Sequence, residues 1–124
     1  MTVLIVEDNS RVRTLLRRTL VGTASRVWEC SDGADALQSY TDYRPDVVLM
    51  DLRMPRVDGL LATRQIRQSD PSAKVVMVTD YDDEDLRCAA SDAGACGYTL
   101  KQDLSELMEL LRSLESDERD QPVS

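Results

Sequence analysis

The chain predicts a doubly wound α/β fold, a five-stranded parallel sheet in the order 2-1-3-4-5. Three observations lead there. Residues 3–6, 47–50 and 75–78 are short, unbroken apolar runs rich in β-branched side chains, the pattern of strands buried on both faces of a parallel sheet. Two weaker stretches, 26–30 and 96–100, mix polar and apolar residues and suit exposed edges. The intervals between all five carry helical periodicity, and strict alternation of strand and helix gives a parallel sheet with helices on both faces. Weak second and fifth strands at the edges select the strand order.

The elements follow in turn. After the first strand, Val12, Leu15, Leu16, Thr19 and Leu20 recur at helical spacing, with Arg11, Arg13, Arg17 and Arg18 largely on the other faces. Asn9 or Ser10 caps this helix, and Gly22 marks its end. Gly33 opens a second helix over 34–40, and Pro45 stands just before the third strand. Gly59 opens a third helix over 60–68, which Pro71 closes. The acidic run Asp82, Asp83, Glu84 and Asp85 caps a fourth helix over 84–93, where negative charge suits the N-terminus; Gly94 ends it. Asp103 caps the last helix, with Leu104, Leu107, Met108, Leu111 and Leu114 on its apolar stripe. The expectation is one flavodoxin-like (βα)5 domain over residues 1–114 and a polar tail, 115–124, that is disordered.

Composition narrows the chemistry. The 124 residues carry 15 Lys+Arg against 23 Asp+Glu, a net charge of −8, which makes nucleic acid a poor direct partner. There is no histidine, which removes imidazole acid–base chemistry, Ser-His and Cys-His nucleophile pairs, and most zinc sites. Cys30, Cys88 and Cys96 are odd in number and scattered, and read as reduced, partly buried thiols of a cytoplasmic protein. No apolar run approaches the ~20 residues of a membrane span, and Thr2-Val3-Leu4-Ile5-Val6 follows Met1 without the basic segment of a signal peptide.

In open α/β sheets ligands bind at the carboxyl ends of the strands, near the switch in strand order. The first strand ends in Glu7-Asp8, the third in Asp51, the fourth in Thr79, and the fifth is followed by Lys101. Each has an ordinary explanation alone: a helix-dipole pair, a turn former, a strand-end hydroxyl, a surface lysine. Their shared location decides otherwise. Three carboxylates in one crevice call for a hard cation such as Mg²⁺, which takes carboxylate and phosphate oxygens. A lysine and a hydroxyl opposite complete a site for a phosphoryl group, with a carboxylate as nucleophile.

By these residues the chain resembles the receiver domain of bacterial two-component response regulators. The likeness is carried by Val3-Leu4-Ile5-Val6-Glu7-Asp8-Asn9, by the run from Arg44-Pro45-Asp46 through Asp51-Leu52-Arg53-Met54-Pro55 to Asp58-Gly59, by Val78-Thr79, and by Gly94-Ala95-Cys96-Gly97-Tyr98-Thr99-Leu100-Lys101. The Asp51 stretch most resembles the NarL/FixJ-like subgroup, whose usual output is a helix-turn-helix transcription domain. The resemblance implies that Asp51 accepts a phosphoryl group from the phosphohistidine of a sensor histidine kinase. It implies Mg²⁺ held by Asp8, Asp51 and the backbone carbonyl of Arg53, with Glu7 acting through water. Thr79 would bond the phosphoryl oxygen and Lys101 would pair with its charge. Tyr98 would turn inward as Thr79 moves, changing the face made by the fourth helix, fifth strand and fifth helix for an output domain, a downstream protein or a second copy.

Two positions depart from the family pattern. Gln102 replaces the usual proline after Lys101, leaving that peptide's geometry open. Asp80 replaces a usually small residue after Thr79; Asp80, with Tyr81 beside it, is expected to modulate the site, Asp80 by slowing reaction with small anionic donors unless it points to solvent. The chain would be a phosphoacceptor with self-phosphorylation and self-dephosphorylation chemistry and no turnover activity. Its rivals are a receiver-like interaction module that does not use phosphorylation, and a small flavodoxin-like enzyme or cofactor carrier. The last has neither a Walker A loop nor a G-x-G-x-x-G turn to support it. With no helix-turn-helix in the sequence, direct nucleic-acid binding is not expected.

Overall fold

A computed structural model of the chain describes the backbone of residues 1–120 and the side chains of residues 1–115. The strands are β1 (Thr2–Val6), β2 (Arg26–Cys30), β3 (Val47–Met50), β4 (Val75–Thr79) and β5 (Gly97–Leu100). The helices are α1 (Ser10–Thr19), α2 (Ala36–Tyr43), α3 (Gly59–Ser69), α4 (Glu84–Ala93) and α5 (Leu104–Asp120), with a 3₁₀ turn at Gly33–Asp35 leading into α2. All strand pairings are parallel, and the sheet order is β2-β1-β3-β4-β5. The flavodoxin-like architecture expected from the alternation is the one observed.

Strand periodicity divides the core in two. Leu4, Val6, Val48, Met50, Val75 and Met77 point to one face, where Ala36 and Tyr40 of α2, Ala62 and Ile66 of α3, and Ala90 of α4 cover them. Val3, Ile5, Val47, Leu49, Val76 and Val78 point to the other, under Leu16 of α1, Leu20, and Leu107 and Leu111 of α5. Each Val, Leu, Ile or Met side chain so removed from water contributes about 1.5–3 kcal/mol. This double burial is why the three central strands read as continuous apolar runs.

Local signals set the helix ends. Asn9 Oδ1 accepts from the N–H groups of Arg11 (2.9 Å) and Val12 (3.3 Å). Asp58, Asp83 and Asp103 cap α3, α4 and α5 in the same way, and Gly94 ends α4 at φ +106°, a left-handed conformation that glycine adopts without steric cost. Asp83 is thus the member of the acidic run that does the capping.

Two expectations need correction. Leu15 is 48% exposed; at 100° per residue it falls beyond the Val12–Leu16–Leu20 stripe that meets the sheet. Cys88 and Cys96 are exposed, and of the three thiols only Cys30 is half-buried. The last helix, α5, runs to Asp120 and so enters the stretch expected as a tail; residues 121–124 lie outside the described residues. Among the described residues, no helix is long and apolar enough to cross a membrane.

Candidate functional site

Ladder hydrogen bonds place the site residues by register. The N–H of Glu7 donates to the carbonyl of Cys30 in β2 at 3.1 Å, that of Asp51 to Val6 in β1 at 2.9 Å, and that of Lys101 to Thr79 in β4 at 2.8 Å. Glu7, Asp51 and Lys101 are each the first residue beyond a strand, and Thr79 is the last residue of one. The crossover between β1 and β3 therefore sets Glu7 and Asp51 side by side, with Asp8 one residue further on.

Carboxylate oxygens of Glu7, Asp8 and Asp51 lie within 4.8 Å of one another, and no other group of three or more such residues is found among the described residues. Glu7 and Asp51 are buried, at 1% and 6% exposure, and Asp8 is exposed at the mouth. Lys101 reaches in from the β5 side. Its Nζ is 3.0 Å from Glu7 Oε2, 3.3 Å from Asp51 Oδ1 and 3.9 Å from Asp80 Oδ2. Burial, then repulsion from Asp51, pushes the Glu7 carboxyl up to about 7 despite the lysine. Burial also raises Asp51; Lys101 opposes this and Asp8 adds to it. Burial works against the charge on Lys101, but Glu7 and Asp51 outweigh it and hold the ammonium above its ordinary range.

One ammonium does not neutralise three carboxylates, and the donors are all hard oxygens. That set fits a divalent oxygen-seeking cation such as Mg²⁺ better than a softer metal.

The remaining predicted residues lie around this cluster. Thr79 is fully buried, and its Oγ1 accepts from the Tyr81 N–H at 3.2 Å. The Tyr81 carbonyl in turn accepts from the Tyr98 hydroxyl at 2.5 Å. Tyr98 is half-buried, with the Arg87 guanidinium 4.6 Å from its ring centroid. Arg53 follows Asp51 in the β3–α3 loop, and its guanidinium stands 4.6 Å from the Tyr81 ring. Asp80 is exposed, yet its carboxylate approaches Lys101, so it faces the rim of the site as well as solvent. The Lys101–Gln102 peptide is trans.

Two further residues hold the site together through contacts that the sequence pattern does not reveal. Arg13 Nη1 donates to the carbonyls of Glu7 (2.7 Å) and Asp8 (3.2 Å), fixing the β1–α1 loop. Helical periodicity assigns it only to a polar face. Gly59 lies against the backbone of the site: a Cβ there would be 2.1 Å from the Asp51 carbonyl oxygen. Its position after Asp58 marks a helix start but not that contact.

A central parallel sheet with an acidic cluster and a lysine at its switch point defines a class of doubly wound α/β protein. Comparison with known proteins gives the family. The model of the response regulator receiver domain matches residues 3–112. The chain belongs to that family, whose members are signalling domains rather than turnover enzymes. It is 37% identical over 120 residues to the response regulator GacA of Pseudomonas aeruginosa, covering 94% of this chain and 56% of that protein. It is 38% identical over 99 residues to the chemotaxis protein CheY of Halobacterium salinarum, covering 80% and 82%. A LuxR-family two-component response regulator from Aurantimonas superposes with a TM-score of 0.80 at 29% identity, covering 90% of this chain and 85% of that one. The NarL receiver domain of Mycobacterium tuberculosis superposes at 0.78 and 27%, covering 90% and 95%. The chain spans about half the length of several curated relatives it matches, 56% of the GacA protein and 49% of a mycobacterial MprA.

Proposed function

We propose that the chain is a phosphorylation-dependent switch in which Asp51 is the phosphoacceptor. The observation that carries this is the pairing of a buried Asp51 with Lys101 inside a three-carboxylate cluster at the strand ends. A carboxylate oxygen of Asp51 attacks the phosphorus of a phosphohistidine on a sensor histidine kinase. The new P–O bond forms as the P–N bond breaks, and the imidazole leaves with the electron pair. Asp8, Asp51 and the backbone carbonyl of Arg53 would hold Mg²⁺, with Glu7 acting through water. Bound there, Mg²⁺ neutralises charge on the incoming phosphoryl oxygens. Lys101 pairs with the phosphoryl charge, a role its standing contact with Asp51 favours.

The switch follows from the Thr79–Tyr81–Tyr98 chain of hydrogen bonds. A Thr79 hydroxyl drawn to a phosphoryl oxygen releases the Tyr81 N–H. The Tyr81 carbonyl moves with it, and so does the Tyr98 hydroxyl that donates to it. That shifts the α4–β5–α5 face, a local charge event biasing a two-state element. The reading places the chain in the cytoplasm, with a cognate kinase upstream and an output domain, a downstream protein or a second copy downstream. Transcription control is the output its NarL-like relatives suggest.

The test is phosphorylation by acetyl phosphate or a histidine kinase, with and without Mg²⁺, in wild type and Asp51→Asn. The expected result is Mg²⁺-dependent labelling in wild type and none in the variant. Wild type that neither labels nor binds beryllofluoride with Mg²⁺ would instead be a receiver-like module working without phosphorylation.

A further inference from the structure

We propose that Asp32 is a positioning residue for the β3–α3 loop, and that through this loop it sets the affinity of the acidic site for its cation. This rests on the reading above that Asp51 and the Arg53 carbonyl hold Mg²⁺.

Asp32 lies between β2 and α2, outside the acidic cluster. The residue is buried, at 6% exposure. Oδ1 accepts from the N–H groups of Ala34 (2.8 Å) and Val57 (3.1 Å), and Oδ2 accepts from the N–H of Arg56 (3.0 Å). Capping the 3₁₀ turn at Ala34 would need one of these bonds. The other two cross more than twenty residues of sequence to the loop that follows Asp51.

A buried carboxylate without partners is costly, whereas bonds from N–H groups to an ionised acceptor are among the stronger ones. Burial would raise its pKa, yet the three N–H groups together hold Asp32 below the ordinary aspartate value. The carboxylate is therefore ionised and committed to the loop. Backbone packing supports the same contact: a Cβ on Gly33 would be 2.3 Å from the Val57 carbonyl oxygen.

The loop is thus tied twice. At its root, the Gly59 N–H donates to the Leu52 carbonyl at 2.8 Å. At its far side, Arg56 and Val57 are pinned to Asp32. Arg53 lies between the two ties, so the Asp32 clamp governs where its carbonyl can stand. Groups bonded directly to metal ligands commonly change metal affinity 10–100-fold when lost; Asp32 acts through Arg56 and Val57, further along the loop from Arg53, so the low end of that range is expected.

An asparagine cannot serve all three donors. Its oxygen can keep Ala34 and Val57, but its NH₂ then faces the Arg56 N–H, donor against donor. The test measures Mg²⁺ binding by calorimetry at 10 °C on wild type, Asp32→Asn and Asp70→Asn. Asp70 is a control: its carboxylate accepts from the Tyr40 hydroxyl at 2.6 Å, away from the loop. We expect Asp32→Asn to bind Mg²⁺ about tenfold more weakly or worse, and Asp70→Asn to bind within about twofold of wild type. Equal binding by Asp32→Asn and wild type overturns the inference alone. No binding by wild type overturns the metal reading and the inference with it. If Asp32→Asn does not fold, amide exchange in wild type decides: Mg²⁺ is expected to slow exchange at Arg56 and Val57, and unchanged protection there overturns the clamp.

Discussion

The ammonium of Lys101 stands closer to Glu7, at 3.0 Å, than to Asp51, at 3.3 Å. Glu7 is thus a charge partner in its own right, and its pKa of about 7 against an ordinary 4.5 has a consequence for stability. A carboxyl whose folded pKa is raised binds its proton more tightly in the folded state. Between pH 4.5 and 7 the unfolded chain holds fewer protons, so stability is greatest below this window and falls as pH rises through it. The gap corresponds to on the order of 3 kcal/mol, and Asp51, also raised, adds to the same sign. Urea midpoints without Mg²⁺ should fall from pH 5 to pH 8. Glu7→Gln should flatten most of that fall. Millimolar Mg²⁺ should offset it too, by binding the ionised carboxylates of the folded state.

Asp80 faces the same lysine from the rim, 3.9 Å from Nζ and with its side chain 70% exposed. Solvent screening holds such an interaction to about 1 kcal/mol or less, which corresponds to about a fivefold change in rate at most. Asp80→Ala should therefore speed labelling by acetyl phosphate by about two- to fivefold, with a smaller effect at high salt. An unchanged rate at low salt would leave Asp80 as a surface aspartate.

Tyr98→Phe removes the hydroxyl that donates to the Tyr81 carbonyl while keeping the ring beside Arg87. Stability should change by no more than about 1 kcal/mol. The expected effect is on transmission. Beryllofluoride with Mg²⁺ should still bind, but the change it causes in amide exchange along α4 should fall by at least about half relative to wild type, a comparison hydrogen-exchange mass spectrometry makes directly.

Thr63 is fully buried in α3, and its hydroxyl has no hydrogen-bond partner. Replacing it with valine keeps the branched shape and removes an unsatisfied polar atom. Thr63→Val should raise stability by about 1 kcal/mol, read as a higher urea midpoint with an unchanged slope. A lower midpoint would mean that the hydroxyl is satisfied in solution.

The fold was legible because burial on two faces leaves an unbroken apolar run, as in Val47, Val48, Leu49 and Met50, and because exposed edges dilute it, as in Arg26 and Glu29 of β2. The cluster at the strand ends was legible because topology alone brings Glu7, Asp51, Thr79 and Lys101 to the carboxyl ends of neighbouring strands. What the sequence conceals is the tertiary use of ordinary residues. Arg13 has the spacing of a solvent-facing helix position, yet its guanidinium spans two backbone carbonyls. Asp32 looks like a turn former before a glycine, but two of its three donors come from another loop. Leu15 fits the apolar repeat and still faces water, since a repeat fixes a stripe's direction better than its width.

Gly59 tests how tightly the loop root and the site are joined. A methyl group there would be 2.1 Å from the Asp51 carbonyl oxygen and 3.0 Å from the Leu52 Cα. Both are backbone atoms, and both belong to the segment that carries Asp51, so relief requires shifting Asp51 itself. Gly22 provides the contrast: its φ of +86° strains an alanine locally, but nothing lies within 4 Å of the added carbon. Gly22→Ala should cost about 1 kcal/mol and leave Mg²⁺ binding and Asp51 labelling unchanged. Gly59→Ala should cost about 1–3 kcal/mol and, in protein that remains folded at low temperature, weaken Mg²⁺ binding and slow labelling together. Loss of stability with both site properties intact would show that the loop absorbs the methyl group without moving Asp51.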